Sequence, residues 1–342
     1  MVALLAAVTA ASAHVAASPW SFGPDVSSRT PVVSTPDPAT VDASHRHQER
    51  RYRVNGKIRL LLFWAGRENV GGARLRWDAT DETSTLALLA GSNPDRAPKG
   101  LNQWIYLREE NRADDASIFA LRSMTDAESA ADPADAILDG PQFGASCTAV
   151  TPAAVRSAVT TVTATPGLTY AMFGRVLDEL ASAPKWTAKR MARPAGTEIG
   201  FLTALERLLM TVPELEGADR RPTASAAYIY NSVPYDLVLE RVETLGGTAT
   251  PVNVDGRPFE RLRTAGLLVR NRATHRTSRF SVTYEPGAAV GDVILPVSIV
   301  YQPNWWLKVE LRLDDGADLP ADPADEQATL TRIRHLCARA TE

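Results

Sequence analysis

The sequence predicts an α+β protein: a curved, largely antiparallel β-sheet, half-open and barrel-like, with covering helices from the middle of the chain and another helix at the C-terminus. Three observations carry that expectation. Residues 307–313 alternate Leu307, Val309, Leu311 and Leu313 with Lys308, Glu310 and Arg312, the period of a strand with one buried face. Two apolar stripes of helical period lie between residues 169 and 210. Strand-like sequence flanks those stripes on both sides, so one sheet built from the two halves can be covered by the helices between them.

The first strands open at Arg51–Ala65, an apolar and aromatic run, followed by a turn-rich GRENVGG and by Ala73–Trp77, where Leu75 and Trp77 alternate with Arg74 and Arg76. Asn69–Gly72 reads as a hairpin connection, because glycine supplies the positive φ that tight turns need. Thr85–Leu89, Gln103–Arg108 and Ser117–Arg122 continue the series. Thr151-Pro152 has the form of a helix start, a capping Thr with Pro in the first helical position, although the β-branched VRSAVTTVTAT that follows leaves a strand open. Thr169–Ala183 places Met172, Phe173, Val176, Leu177 and Leu180 on one helical face. Thr197–Met210 repeats the pattern with Ile199, Leu202, Leu205, Leu208 and Leu209.

Beyond the helices, Ala224–Tyr230, Tyr235–Val242, Arg263–Arg270 and Arg279–Tyr284 read as strands. Val293–Tyr301 reads as the antiparallel partner of Leu307–Leu313, with Pro296 placing it at an edge or a bulge. Asp322-Pro323 then starts a terminal helix that carries Leu330, Ile333, Leu336 and Cys337 on one face.

The chain has 342 residues and a net charge of -3, with no basic excess of the kind nucleic-acid binders carry. Residues 1–13 are an uncharged apolar run ending in Ala11-Ser12-Ala13, which predicts a secretory signal peptide and a periplasmic or secreted protein. No later run is apolar and long enough to span a bilayer as a helix. Residues 14–48, rich in Ser, Pro and Thr, read as a disordered linker. Residues 49–342 then form a single body; the alternative is a β-rich domain over 49–149 and a helical plus β-rich domain over 150–342. Two cysteines, Cys147 and Cys337, form a candidate disulfide in an oxidising compartment, against the alternative of two buried thiols. Abundant Ala, with Arg far outnumbering Lys, points to a GC-rich bacterial genome.

Catalytic motifs are absent: no G-x-S-x-G, H-E-x-x-H, Walker loop or G-x-G-x-x-G occurs. Ser182 and Lys185 match S-x-x-K, but Pro184 breaks the helical turn that would bring them together. His45, His47, His275 and His335 are scattered, and no metal site or cofactor is read from them. Acidic groups at 126–139 and 314–325 lack the spacing of a calcium loop. Trp64, Trp77, Trp104, Trp305 and Trp306 lie on or beside predicted strands. Trp305 and Trp306 are adjacent, so in a strand they face opposite ways and one of them lines a second surface. These five are candidate ligand-binding residues, with core packing as the plain alternative.

Lys57–Trp77 (KIRLLLFWAGRENVGGARLRW) and Asp292–Leu313 (DVILPVSIVYQPNWWLKVELRL) resemble uncharacterised exported bacterial proteins with a curved antiparallel sheet, similar to the half-barrels of periplasmic lipoprotein carriers. The resemblance covers about a third of the chain. It departs from the pattern in the extra glycine of Val70-Gly71-Gly72-Ala73 and in the helical insert at 150–212, which has no counterpart. It implies a cavity for an apolar ligand and no catalytic residues. The function expected is therefore non-catalytic: binding of a lipid or acyl chain, or of an envelope partner. The alternatives are a secreted hydrolase with paired carboxylates and an assembly protein that pairs its edge strand Val293–Tyr301 with a partner strand.

Overall fold

The computed structural model describes residues 46–60, 63–93, 95–97, 103–113, 115–124, 142–163, 173–183, 185–211, 224–245, 252–254, 257–259, 261–286, 293–302, 307–314 and 326–341. The predicted signal peptide, most of the predicted linker, Trp305, Trp306 and nearly all of both acidic groups lie outside them. The linker ends earlier than expected: Arg46 and His47 already belong to a strand, where His47 Nδ1 lies 2.6 Å from Asp78 Oδ1.

Among the described residues, fifteen strands form one sheet. The first half contributes β1 (Arg46–Leu60), β2 (Phe63–Ala79), β3 (Thr83–Ser92), β4 (Trp104–Arg112), β5 (Ala116–Met124), β6 (Gln142–Val150), β7 (Ala154–Thr163) and β8 (Thr187–Ala192) as a meander. The second half contributes β9 (Thr197–Ile199), β10 (Ser225–Tyr230), β11 (Val233–Leu245), β14 (Leu262–Asn271), β15 (Thr277–Tyr284), β16 (Ser298–Tyr301) and β17 (Leu307–Leu313). Strands β12 (Val252–Val254) and β13 (Arg257–Phe259) form a small separate ribbon. The halves join where β1 pairs antiparallel with β17, Val54 opposite Leu311. Every pairing in the sheet is antiparallel except β9 with β10. Three helices complete the described fold: α1 (Phe173–Ala181), α2 (Phe201–Thr211) and α3 (Glu326–Thr341).

The sheet curls until its two end strands, β8 and β9, are separated by only four residues of chain. No ladder joins them. The seam is closed by side chains: the Ser232 hydroxyl donates to Ser157 Oγ at 2.7 Å, and Ile229 of β10 packs on Val150 and Val155. Helix α2 lies inside this curl. Phe201, Leu202, Leu205, Leu208 and Leu209 are buried against inward side chains of both halves, among them Tyr52, Leu107, Leu237 and Leu311. At about 1.5–3 kcal/mol for each large apolar side chain removed from water, this one helix supplies much of the reason for the sheet to curve.

The two middle helices cover opposite faces of the sheet. Among the described helices only α2 covers the concave face; α1 lies on the convex face with α3, where Phe173, Val176, Leu177 and Leu180 pack with Leu89, Phe119 and Phe143. The sheet is apolar on both faces over β3–β6, as the burial of both Ile118 and Phe119 shows, so it needs a helix on each side.

Other expectations are corrected. Asn69–Gly72 is not a hairpin but the middle of β2, and the β1–β2 ladder runs to Leu60 opposite Phe63. A Cβ on Gly71 would sit 2.1 Å from the Gly91 carbonyl oxygen on β3, so glycine is required there by close strand approach. Asn69, at φ 53°, sits opposite a register shift at Val54–Gly56, and its amide donates to Asn55 Oδ1. Thr151-Pro152 opens no helix. The Thr151 hydroxyl accepts from the Ala154 amide and fixes the β6–β7 turn, so the capping chemistry is real but closes a hairpin. Residues 197–199 are strand before the helix of 201–211 begins. Finally, Val293–Tyr301 presents no edge. Only 298–301 are strand, and β16 is paired on both sides, by β15 and β17.

Candidate functional site

Of the predicted tryptophans, Trp77 and Trp104 have described side chains, and these two lie apart. Trp77 faces the concave core, its indole N–H donating to Ser84 Oγ at 3.1 Å and its ring under the Arg46 guanidinium. Trp104 faces the convex core, with its ring centroid 5.0 Å from that of Phe143. Trp64 lies on β2 opposite Arg59 in the ladder. The sheet separates Trp77 from Trp104, so one ligand cannot touch both.

The polar residues with unusual environments belong instead to β4. Its alternation points Ile105, Leu107 and Glu109 inward and Trp104, Tyr106, Arg108 and Glu110 outward. Glu109 is wholly buried. Its carboxylate accepts from the Leu202 and Thr203 amides and the Thr203 hydroxyl, each at 2.8 Å, and so caps the first turn of α2 from across the core. Gly200 leaves room for it: a Cβ there would lie 2.3 Å from the carboxyl carbon. Burial pushes the Glu109 pKa up to about 7 despite these donors. Among the described residues its hydrogen-bond partners are all donors from the start of α2.

Glu110 faces the other way, toward α3. Three guanidinium groups surround it: Arg112 at 2.9 Å, Arg334 at 3.1 Å and Arg108 at 3.5 Å. Burial raises its pKa, but the hydrogen bond and charge of Arg334, with those of Arg108 and Arg112, outweigh burial and hold the carboxyl below its usual range.

Helix α3 is fixed here by several independent ties. Cys337 is bonded to Cys147 of β6 across 190 residues of sequence, with Cα atoms 5.2 Å apart. Ile333 and Leu336 are buried among the convex-face residues, and Arg332 pairs with Asp178 of α1. Between α3 and β4–β6 a cleft of about 320 Å³ remains, at the lower end of the range for small-molecule sites. Its apolar wall includes Phe119 and Ala149 on the sheet side and Leu330, Ile333 and Ala338 on the helix side. Arg108, Arg112, Arg334 and Glu110 line one part of it, together with Asp115.

Of the histidines, His275 occupies an exposed turn at φ 59° and His335 an exposed position on α3. Ser182 closes the last turn of α1, while the Lys185 carbonyl accepts from the Thr160 hydroxyl. Among the described residues no group of His, Cys, Asp or Glu is arranged to hold a metal ion. Nor is any described helix long and apolar enough to cross a membrane.

Sequence reasoning missed Glu109, Glu110 and the arginines around them. The signal was present in β4: an acid at the next inward position after Ile105 and Leu107 is a charge aimed at the core. No family model matches the sequence, and neither the curated proteins nor the solved structures contain a match to it.

Proposed function

We propose that this is a non-catalytic binding protein for an apolar small molecule, a lipid or acyl chain, working in the periplasm or outside the cell. The observation that carries the reading is the cleft under α3, where an apolar wall on the sheet faces an apolar wall on the helix. A cavity of this kind, bounded by fixed elements, binds without the cost of first ordering its walls. The disulfide that fixes α3 belongs to the chemistry of an oxidising compartment, in keeping with the apolar run and Ala-x-Ala at residues 1–13.

The test is uptake of a fluorescent fatty acid by delipidated, disulfide-intact protein, beside the variant Ala338→Trp. Ala338 lines the cleft from the exposed side of α3, so an indole there fills the space without disturbing the buried Ile333 and Leu336. Saturable uptake by the natural chain that falls at least roughly ten-fold in the variant, about 1.4 kcal/mol, is the expected result. Equal uptake by both proteins, or none by either, would refute a ligand in this cleft.

A further inference from the structure

The charges in the cleft carry the reading further. Among the described residues, Arg108, Arg112 and Arg334 each pair with one acid, Glu110. One carboxylate therefore answers three guanidinium groups. Asp115 also lines the cleft, which leaves its ionised lining with one net positive charge. Glu110 is close to saturated, since both its oxygens already accept from arginine and its side chain is only 9% exposed. The Arg112 and Arg334 side chains are each 52% exposed. A guanidinium offers five N–H donors in a planar fork, far more than these two give to Glu110, and the fork matches the geometry of an oxyanion.

We infer that the cleft selects an apolar chain carrying an oxyanion headgroup, a carboxylate or a phosphate, with the headgroup taken by Arg112 and Arg334 and the chain laid between Phe119 and Ile333. This rests on the proposed apolar-ligand site and names which ligands that site prefers. Glu110 has a positioning role here: it draws a guanidinium from α3 and two from β4 to one place, so the headgroup meets an arginine from each wall. An anion there supplies a counter-charge to two guanidinium groups that share a single carboxylate with a third. A neutral headgroup leaves them to water, and a cationic one is repelled.

The experiment compares four ligands on the intact, disulfide-bonded chain by calorimetry or dye displacement: decanol, decanoate, decyl phosphate and decyltrimethylammonium. Decanoate or decyl phosphate is expected to bind at least roughly ten-fold more tightly than decanol, with decyltrimethylammonium weakest; ten-fold is about 1.4 kcal/mol, the low end for a hydrogen bond to a charged group. Whichever anion binds tighter identifies the headgroup. Arg112→Gln, which leaves Arg108 and Arg334 to hold Glu110, is expected to bring decanoate close to decanol, and Arg112→Lys to keep part of the preference. Decanol binding as well as both anions would overturn the headgroup inference and leave the apolar cleft standing. Failure of all four would refute the cleft itself. A preference for anions untouched by Arg112→Gln would place the headgroup elsewhere and overturn the assignment.

Discussion

Glu109 makes the stability of this fold depend on pH in a direction opposite to that of most carboxylates. Its pKa rises from an ordinary 4.5 to about 7 because burial outweighs the donors that α2 provides. The folded chain therefore holds this proton more tightly than the unfolded chain. Between those two values the native state binds more protons, so the free energy of unfolding falls as pH rises and levels off above about 7. The full step is the separation of the two pKa values times 1.36 kcal/mol, or about 3 kcal/mol. Other titrating groups overlie it, so the readout is a difference between two proteins: urea unfolding of the natural chain and of Glu109→Gln, disulfide intact, at several pH values from about 4.5 to about 8 and at fixed ionic strength. The variant has no carboxyl to titrate. Whatever its own cost, the stability of the natural chain relative to it should decline by about 3 kcal/mol across that range. A constant difference would refute the raised pKa. A difference that grows with pH would mean that the amides of α2 and the positive end of the helix overcome burial, reversing the sign.

Two further substitutions follow from the same packing. Gly200→Ala puts a Cβ 2.3 Å from the Glu109 carboxyl carbon at a residue with φ 84°; combined backbone strain and loss of the carboxylate cap should cost about 3 kcal/mol in denaturant unfolding. A cost below roughly 1 kcal/mol would show that the helix start relaxes at little expense. Cys337→Ala opens a link spanning 190 residues, for which loop-closure entropy gives an upper value of about 5 kcal/mol. The urea midpoint of the natural chain should fall by a corresponding amount on adding reductant, while that of the variant should not respond. An unchanged midpoint for the natural chain would mean that burial of Ile333 and Leu336 holds α3 alone.

Much of the fold was legible because it is written in alternation. Leu307–Leu313 and Arg279–Tyr284 show period two without interruption, and both are strands as read. The stripe from Leu202 to Leu209 identified α2 because every third or fourth residue is buried on the same core. Several of the errors share one cause: a local signal whose partner is distant in sequence. Gly71 resembles a turn glycine until the Gly91 carbonyl is known to lie beside it. Pro296 suggested an edge, yet the Pro296 carbonyl accepts from the buried Tyr52 hydroxyl at 2.7 Å, across 244 residues of sequence. The stripe on α1 is as clear as that on α2, but nothing in a stripe says which face of a sheet it will cover. The cleft was illegible for the same reason. Arg112 and Arg334 are ordinary surface arginines in sequence; the Cys147–Cys337 link, the burial of Ile333 and Leu336 and the Glu110 carboxylate bring them together.

Strand β4 ties these parts to one another. Two consecutive glutamates, in opposite directions because a strand alternates, reach two helices on opposite sides of one sheet. Glu109 holds the start of α2 in the concave core, and Glu110 holds Arg334 of α3 over the convex cleft. Register is thereby specified twice. A slip of β4 by one residue puts either Arg108 or Glu110 where Glu109 now stands. Arg108 there would bring a cation to the amides that open α2, the wrong sign for a helix start. Glu110 there would keep a carboxylate at the helix, but Arg108 would then replace Leu107 in the apolar core as an unpaired buried charge. In that second slip Asn111 also takes the place of Glu110, and Arg334 loses its carboxylate partner. The same alternation keeps the two roles apart. The partners of Glu110 all lie on the convex side, so a substitution at Arg112 alters the charge of the cleft while the cap on α2 stays intact. Ligand selectivity can therefore change at the convex face without disturbing the helix around which the sheet curls.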